Sequence, residues 1–337
     1  MTRPEPVLSV VVPMYNEESV LPALASRLRA VLDDLGETYE VVAVDDGSDD
    51  GTATALGGLR AGWPHLRVLR LRRNSGHQAA LVAGVLRARG RYVVSIDADL
   101  QDPPETIVEM LHAARAGDLD VVYGVRADRS TDSRFKRWTA AGYYRLMRRL
   151  VGKQVPAQAG DFRLLSRAVV ETLRELPEPA PVLRLVVPWL GFPSGEVTYH
   201  RHRRAAGRTK YPLSRMAGLA AQSVTSFSAA PLRFATWLGL AGVVVCGLLV
   251  VFTVVAWSVG ATVDGWPSLY VAILFLGAVQ LLCLGLLGEY VGRIYTVVQG
   301  RPAYVVATDT ATDQDADGHT AASRGVGGPT ALADSLR

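Results

Sequence analysis

Apolar and polar positions across residues 7–124 follow two alternating periods. Residues 8–12, 40–44, 67–71, 92–96 and 120–123 are short β-rich runs, and residues 19–35, 52–61, 77–89 and 104–116 between them carry helical spacing. Repeated strand–helix units predict an α/β domain built on a parallel, Rossmann-like sheet. Ligands of such sheets bind at the carboxyl ends of the strands, so the residues following each strand are the ones to inspect.

Farther along, the pattern loses its polar face. Residues 237–259 read WLGLAGVVVCGLLVVFTVVAWSV, 23 residues without a charge. At about 1.5 Å per residue this run is long enough to cross a hydrocarbon core of about 30 Å. A second uncharged run, residues 268–288, is closed by Glu289 and Arg293. Trp237, Trp257, Trp266 and Tyr270 stand at the ends of the two runs like an interfacial belt. The expectation is a two-helix transmembrane hairpin over residues 234–293; the alternative is the buried helix pair of a soluble domain.

Flanking charge sets the expected orientation. Arg201, Arg203, Arg204, Arg208, Lys210, Arg215 and Arg233 precede the first run and Arg293 and Arg301 follow the second, whereas the loop between them carries only Asp264. Both termini are therefore expected on the cytoplasmic side of a cell (inner) membrane, with the protein multi-pass. The apolar run at 8–12 is too short for a signal peptide and ends at Pro13. The expected organisation is a cytoplasmic catalytic domain over 1–211, interfacial amphipathic helices over 212–233 with a break at Pro231, the hairpin, and a cytoplasmic return segment over 294–306. The tail over 307–337, almost without large apolar residues, is expected to be disordered.

Composition narrows the function classes. Hydrophobic residues make up 49% and charged ones 20%, with mean hydropathy +0.17, more apolar than a soluble enzyme normally is. Thirty-six Lys and Arg against 32 Asp and Glu leave +4, too mild an excess to imply a nucleic-acid partner without a concentrated patch. The two cysteines, Cys246 and Cys283, lie inside the apolar runs, which excludes a disulfide framework and a cysteine zinc site.

The strand ends carry the candidate chemistry. The first strand runs into Pro13-Met14-Tyr15-Asn16-Glu17, the second into Asp45-Asp46-Gly47-Ser48, and the fourth into Asp97-Ala98-Asp99-Leu100-Gln101. Carboxylates gathered on one edge repel one another unless a cation or hydrogen-bond donors offset them, and a divalent metal is the economical explanation. An Asp-x-Asp pair can hold Mg²⁺ or Mn²⁺ while leaving coordination sites for diphosphate oxygens. Taken singly, Asp45 to Ser48 also reads as a turn with a helix cap, and Asp97-Ala98-Asp99 is too short a pattern to be specific. No G-x-G-x-x-G or Walker A pattern follows the first strand.

Taken in order, VVPMYNEE, VDDGSDDGT, RNSGHQAA, SIDADLQDPPE, GDFRLLSR, the R-x-x-G-x-T-K of residues 204–210, and GEYVGRIY followed by RPAY resemble glycosyltransferase family 2. Within that family the chain is most similar to the polyprenyl-phosphate glycosyltransferases, which include bactoprenol glucosyltransferases and dolichyl-phosphate mannose synthases. The resemblance covers roughly residues 7–306 and implies a GT-A fold and inverting transfer of a hexose from a UDP- or GDP-linked donor to a polyprenyl phosphate.

Carried over residue by residue, it implies Pro13, Tyr15, Glu17, Val44, Asp46 and Asp97 around the nucleotide. Asp97, Asp99 and Gln101 would hold Mg²⁺ or Mn²⁺ and the diphosphate, and Arg126 would reach the donor. Asp161 occupies the family's acidic position near the reacting sugar, so Asp161, Asp99 and Arg126 form the implied catalytic set, and Arg204 and Lys210 would grip phosphate. A polyprenyl phosphate is already largely anionic, its second pKa being about 6, so Asp161 is expected to orient or stabilise and not to serve as an obligatory base. The residue-level alternative for Asp161 is a helix cap before residues 162–165, and that for the basic cluster is an electrostatic membrane anchor. One departure stands out: the family commonly has Arg-Gly before the W-x-G-F at 189–192, and here Leu185 follows Arg184. The expected partners are the sugar donor, the lipid acceptor, the membrane and further copies of the chain. Two other readings compete. A processive polysaccharide synthase would need Q-x-x-R-W, but the nearest candidate, Arg134 to Trp138, lacks the Gln. A catalytically silent nucleotide-sugar scaffold is disfavoured by intact Asp97, Asp99 and Asp161.

Overall fold

The structure is a computed structural model that describes residues 5–127, 159–178, 181–200, 230–259 and 266–311. Its elements run β1 (Leu8–Met14), α1 (Leu21–Asp34), β2 (Tyr39–Asp45), α2 (Thr52–Gly62), β3 (Leu66–Leu71), α3 (His77–Arg87), β4 (Tyr92–Ser95), α4 (Thr106–Ala116), β5 (Val121–Arg126), β6 (Ala159–Ser166), α5 (Arg167–Glu175), α6 (Leu183–Leu190), β7 (Ser194–Tyr199), α7 (Ala230–Ser258), α8 (Trp266–Val298) and β8 (Val306–Asp309).

Eight strands form one sheet in the order β7-β5-β6-β4-β1-β2-β3-β8. Its centre, β4-β1-β2-β3, is parallel as expected. The sheet as a whole is mixed, because β6 runs antiparallel to both β4 and β5, and β8 runs antiparallel to β3. Every residue of β1 is buried, as a strand covered on both faces requires. Leu8, Val10 and Val12 join Leu24, Leu28, Leu56, Ile107 and Met110 from α1, α2 and α4 in one core. The opposite face meets α3, where a Cβ on Gly84 would lie 2.4 Å from Val11 Cγ1 and 2.8 Å from Val44 Cγ2. Glycine there lets the helix approach the sheet closely.

Two readings are corrected. Residues 159–166 are a strand, so Asp161 is not a helix cap; the cap belongs to Ser166, whose Oγ accepts from the Val169 N–H at 3.4 Å at the start of α5. The start of the tail is ordered: Val306–Asp309 is β8, tied by Arg67, whose guanidinium donates to Asp309 Oδ1 at 2.8 Å and Oδ2 at 2.6 Å. The second apolar helix itself runs on past Glu289 and Arg293, which end only its uncharged run, to Val298.

The chain divides into two compact units, one containing the sheet and its helices and the return segment from Pro302, the other containing α7 and α8. In the second unit the two long helices pair, with Cys283 Sγ 3.7 Å from the Ala235 carbonyl and Leu276 beside Gly242. Those two contacts advance in opposite directions along the chain, so the helices are antiparallel. Among the described residues one stretch, Phe275–Val298, is apolar and long enough by length and composition to cross a membrane. The expected interfacial segment lies outside the described residues apart from 230–233, which belong to α7. Pro231 stands in the first described turn of that helix and does not break it.

Candidate active site

The loops after β1 and β2 are stitched together first. Pro13 and Val44 are register partners and both are buried. Asn16, at φ +56°, donates from its backbone N–H to Ser48 Oγ at 3.0 Å, and its side chain exchanges hydrogen bonds with Asp49. The Glu17 N–H donates to Thr52 Oγ1 at 3.0 Å. Asp45 accepts from the Ser48 N–H at 2.9 Å and pairs with Arg70 at 3.2 Å, so Asp45 to Ser48 is a true turn. Gly47, at φ +67°, presses this turn against the Arg73 backbone, where a Cβ would sit 2.6 Å from the Arg73 carbonyl carbon. Tyr15, which follows β1 directly, is 39% exposed.

Asp46 reaches across to the next loop. Its carboxylate accepts the N–H groups of Ser75 at 2.7 Å and Gly76 at 2.9 Å, which fixes the start of α3. The first residue of that helix, His77, then lies between two carboxylates: Nε2 is 3.7 Å from Asp97 Oδ1 and 3.5 Å from Asp161 Oδ2.

Asp97 and Asp161 meet because β6 runs back along β4. Ser95 is in register with Arg163, and continuing that register brings Asp161 level with Asp97. The Ser95 hydroxyl donates to the Asp161 carbonyl at 2.5 Å. Asp161 is surrounded by donors: Arg163 at 3.0 Å, Gln78 Nε2 at 3.3 Å and Arg184 at 3.3 Å. Arg163 is fully buried and also donates to the Gly160 and Leu183 carbonyls, each at 2.8 Å.

The two carboxylates are driven apart electrostatically. Burial pushes the Asp97 carboxyl up to about 6, and the neighbouring Asp102, Asp161 and Asp99 charges add to this against the opposing pull of His77. Burial also acts against ionised Asp161, but His77, Arg184 and Arg163 outweigh it and hold that carboxyl well below the usual range. For His77, desolvation opposes the charge, while Asp161 and Asp97 prevail and raise it.

The remaining acidic residues continue this edge. Asp99 Oδ1 accepts the Gln101 N–H at 3.2 Å across Leu100, which is held at φ +57°. A leucine in the left-handed region is strained by on the order of 1 kcal/mol, the kind of cost that concentrates at functional sites. Gln101 Oε1 is buried with no hydrogen-bond partner among the described residues. Beyond it, Tyr199 at the end of β7 donates to Asp102 Oδ1 at 2.5 Å, and Arg126 at the end of β5 donates to the Tyr199 hydroxyl at 3.3 Å.

The structure thus brings Asp97 and Asp161 together, with Asp99, Gln101 and Arg126 on the same edge, and puts Pro13 and Val44 at the adjoining ends of β1 and β2 and Tyr15, Glu17 and Asp46 on the loops that follow. Arg204 and Lys210 lie outside the described residues. Sequence reasoning missed His77, Gln78, Arg163, Asp102 and Tyr199 and gave Arg184 no contact. RNSGHQAA, GDFRLLSR and SIDADLQDPPE hold four of them, and strand alternation puts Arg163 on the same face as Asp161.

The sequence pattern of Glycosyl transferase family 2 matches residues 9–174, and that of the GtrB C-terminal hairpin matches residues 230–294. The SfII prophage-derived bactoprenol glucosyl transferase of Shigella flexneri is 40% identical over 300 residues, 89% of this chain and 97% of its own. The prophage bactoprenol glucosyl transferase homolog of Escherichia coli K12 is 39% identical over 305 residues, 89% and 98% of the two chains. An uncharacterized glycosyltransferase of Bacillus subtilis, YkcC, is 41% identical over 302 residues, 88% and 92%. The crystal structure of glucosyl-3-phosphoglycerate synthase from Mycobacterium tuberculosis shares the fold at 20% identity, with TM-score 0.50 over 66% of this chain and 79% of that one. Relatives at this identity over nearly their whole length, on a Rossmann-like GT-A sheet, show that the chain belongs to glycosyltransferase family 2 and is a glycosyltransferase.

Proposed function

We propose that this chain is a membrane-bound, inverting glycosyltransferase that moves a hexose from a UDP- or GDP-linked donor to a polyprenyl phosphate. One observation carries the reading: the Asp97 to Gln101 edge and a separately ionised Asp161 face one another in a chain that also carries a pair of long apolar helices. The names of the bactoprenol glucosyl transferase relatives support the acceptor.

Asp97, Asp99 and Gln101 fit a divalent cation, Mg²⁺ or Mn²⁺. Gln101 presents a buried carbonyl oxygen without a donor, and the crowded Asp97 carboxyl is raised as a cation would reverse. Among the described residues no three His, Cys, Asp or Glu side chains are grouped to hold a metal by themselves, so oxygens of the donor diphosphate are the natural complement. When bound, such a cation supplies positive charge to the departing nucleoside diphosphate.

The chain's own groups do the rest. Pro13, Tyr15, Glu17 and Val44 bound the nucleotide pocket, and Asp46 holds the loop that closes it. Arg126 steadies the donor, and Arg204 and Lys210 bind acceptor phosphate. The phosphate oxygen arrives anionic, so attack on the anomeric carbon needs orientation more than proton removal. Asp161, kept charged by Arg163 and Arg184, orients the reacting groups and stabilises positive charge developing on the sugar. Direct displacement inverts the anomeric centre.

Asp99→Asn keeps the shape of the side chain and removes one ligand charge. Formation of lipid-linked sugar should fall by about 100-fold or more, and chelation should stop the wild type. Undiminished product from Asp99→Asn, or from wild type after thorough metal removal, would overturn the metal-assisted mechanism. Donor binding with no lipid product would favour the scaffold.

A further inference from the structure

We propose that His77 and Gln78 are positioning residues for the transfer reaction: adjacent at the start of α3, they hold the Asp161 carboxylate in place and couple it to the loop that Asp46 fixes. The inference rests on the function proposed above and assigns a task to RNSGHQAA, which that function leaves without one.

The geometry is a relay of contacts across three elements. Asp46, at the end of β2, accepts two backbone N–H groups from Ser75 and Gly76. Those bonds fix the residue before α3 and so fix where the helix begins. Gly76 takes φ +94°, a conformation that glycine adopts at little cost. The next two side chains then converge on one oxygen: His77 Nε2 is 3.5 Å and Gln78 Nε2 3.3 Å from Asp161 Oδ2.

The Gln78 amide shows which contact dictates its orientation. Its Oε1 is buried with no hydrogen-bond partner among the described residues. A buried carbonyl left without a donor is unfavourable, yet the flipped amide would turn that oxygen onto the Asp161 carboxylate. The amide therefore faces Asp161 at the expense of its own acceptor. His77 adds the second link, because the same Nε2 lies 3.7 Å from Asp97 Oδ1. Arg163 and Arg184 supply charge to Asp161 from β6 and α6, but among these contacts only the α3 pair ties it to Asp46 and to Asp97. Binding a nucleotide against the Asp46 loop would thus set the place of Asp161 beside the sugar.

The test uses the full-length protein in detergent with UDP-glucose, Mg²⁺ and a long-chain polyprenyl phosphate. His77→Ala and Gln78→Leu should each lower kcat by roughly 10- to 100-fold, the scale of a misplaced reacting group, with KM for UDP-glucose changed less than about 3-fold. His77→Gln, which keeps an N–H donor, should recover most of the rate. Thermal midpoints of wild type, His77→Ala, Asp161→Asn and the double variant form a cycle that needs no turnover, and the two shifts should be non-additive. Wild-type kcat in His77→Ala and Gln78→Leu, or additive thermal shifts, would overturn the inference. A wild type that transfers no sugar overturns the proposed function, and the thermal cycle then still decides the His77 to Asp161 coupling by itself.

Discussion

Asp97 and Asp161 show how position alone divides two identical side chains. Asp97 is raised to about 6 by burial and by neighbouring carboxylates, so the folded protein holds its proton more tightly than the unfolded chain. Ionising it therefore costs stability as pH rises from about 4 to 6, and the cost is fully present above that window. Asp161 is lowered; its contribution is present above the ordinary carboxylate pKa of about 3.9 and is lost as pH falls through and below it. In metal-free buffer at pH 7.5, Asp97→Asn should raise the thermal midpoint by about 1–2 °C, because the side chain is partly solvated and the gain is screened. At pH 4 the difference should vanish. Asp161→Asn should lower the midpoint at pH 7.5 by roughly 6 °C or more, because it removes the charge facing fully buried Arg163, a loss of about 3 kcal/mol. Calorimetry of both variants across pH checks the two signs. The carboxylates were legible in the sequence because strand ends are where α/β sheets put their chemistry. The groups that tune them were not, since His77, Arg163 and Arg184 reach Asp161 through tertiary contacts that no local spacing records.

Elements were readable in proportion to how much of their support is local. The central strands and α1 to α4 fall within a few residues of the alternation that predicts them, because each buries its own apolar face. β6 is not among the strands the alternation predicts, and a helix cap stood as the alternative for Asp161: the strand begins Ala-Gly-Asp and carries Arg163 in its middle, so its strand character comes from pairing with β4 and β5. β7, SGEVTY, is an edge strand with mostly exposed polar positions. β8 is four residues, VATD, whose order comes from backbone pairing with β3 and from Asp309 on Arg67. Its effect is to cover the β3 edge, which would otherwise offer unpaired backbone groups to another chain. Asp309→Ala leaves the mostly buried Arg67 without its bidentate partner. It should destabilise the sheet domain by about 1–3 kcal/mol, or roughly 3–8 °C in the thermal midpoint. Differential scanning measurements on the single variant check this, and an unchanged midpoint would show that the return segment does not brace the sheet.

For the whole molecule, the proposed membrane attachment rests on the apolar pair. Large apolar side chains along α7 and α8, among them Leu240, Leu248, Leu281 and Ile294, are more than half exposed, and the arginines that flank the two apolar runs in sequence lead to the proposal that both ends face one side of the membrane. Cysteine labelling tests that topology. With Cys246 and Cys283 replaced by alanine, Asp264→Cys should react with an impermeant thiol reagent added outside intact cells, and Ser323→Cys should not; the reverse pattern would invert the assignment. The central claim concerns the reaction itself, and its most direct test is the chemical identity of the product. Full-length protein in lipid nanodiscs should be given Mg²⁺, a polyprenyl phosphate and a panel of labelled UDP- and GDP-sugars, and the extracted lipid analysed by mass spectrometry. The account predicts one hexose joined through a phosphodiester to the lipid, with the anomeric configuration opposite to that of the donor. No sugar on the lipid with any donor, or a growing polysaccharide in its place, would contradict it.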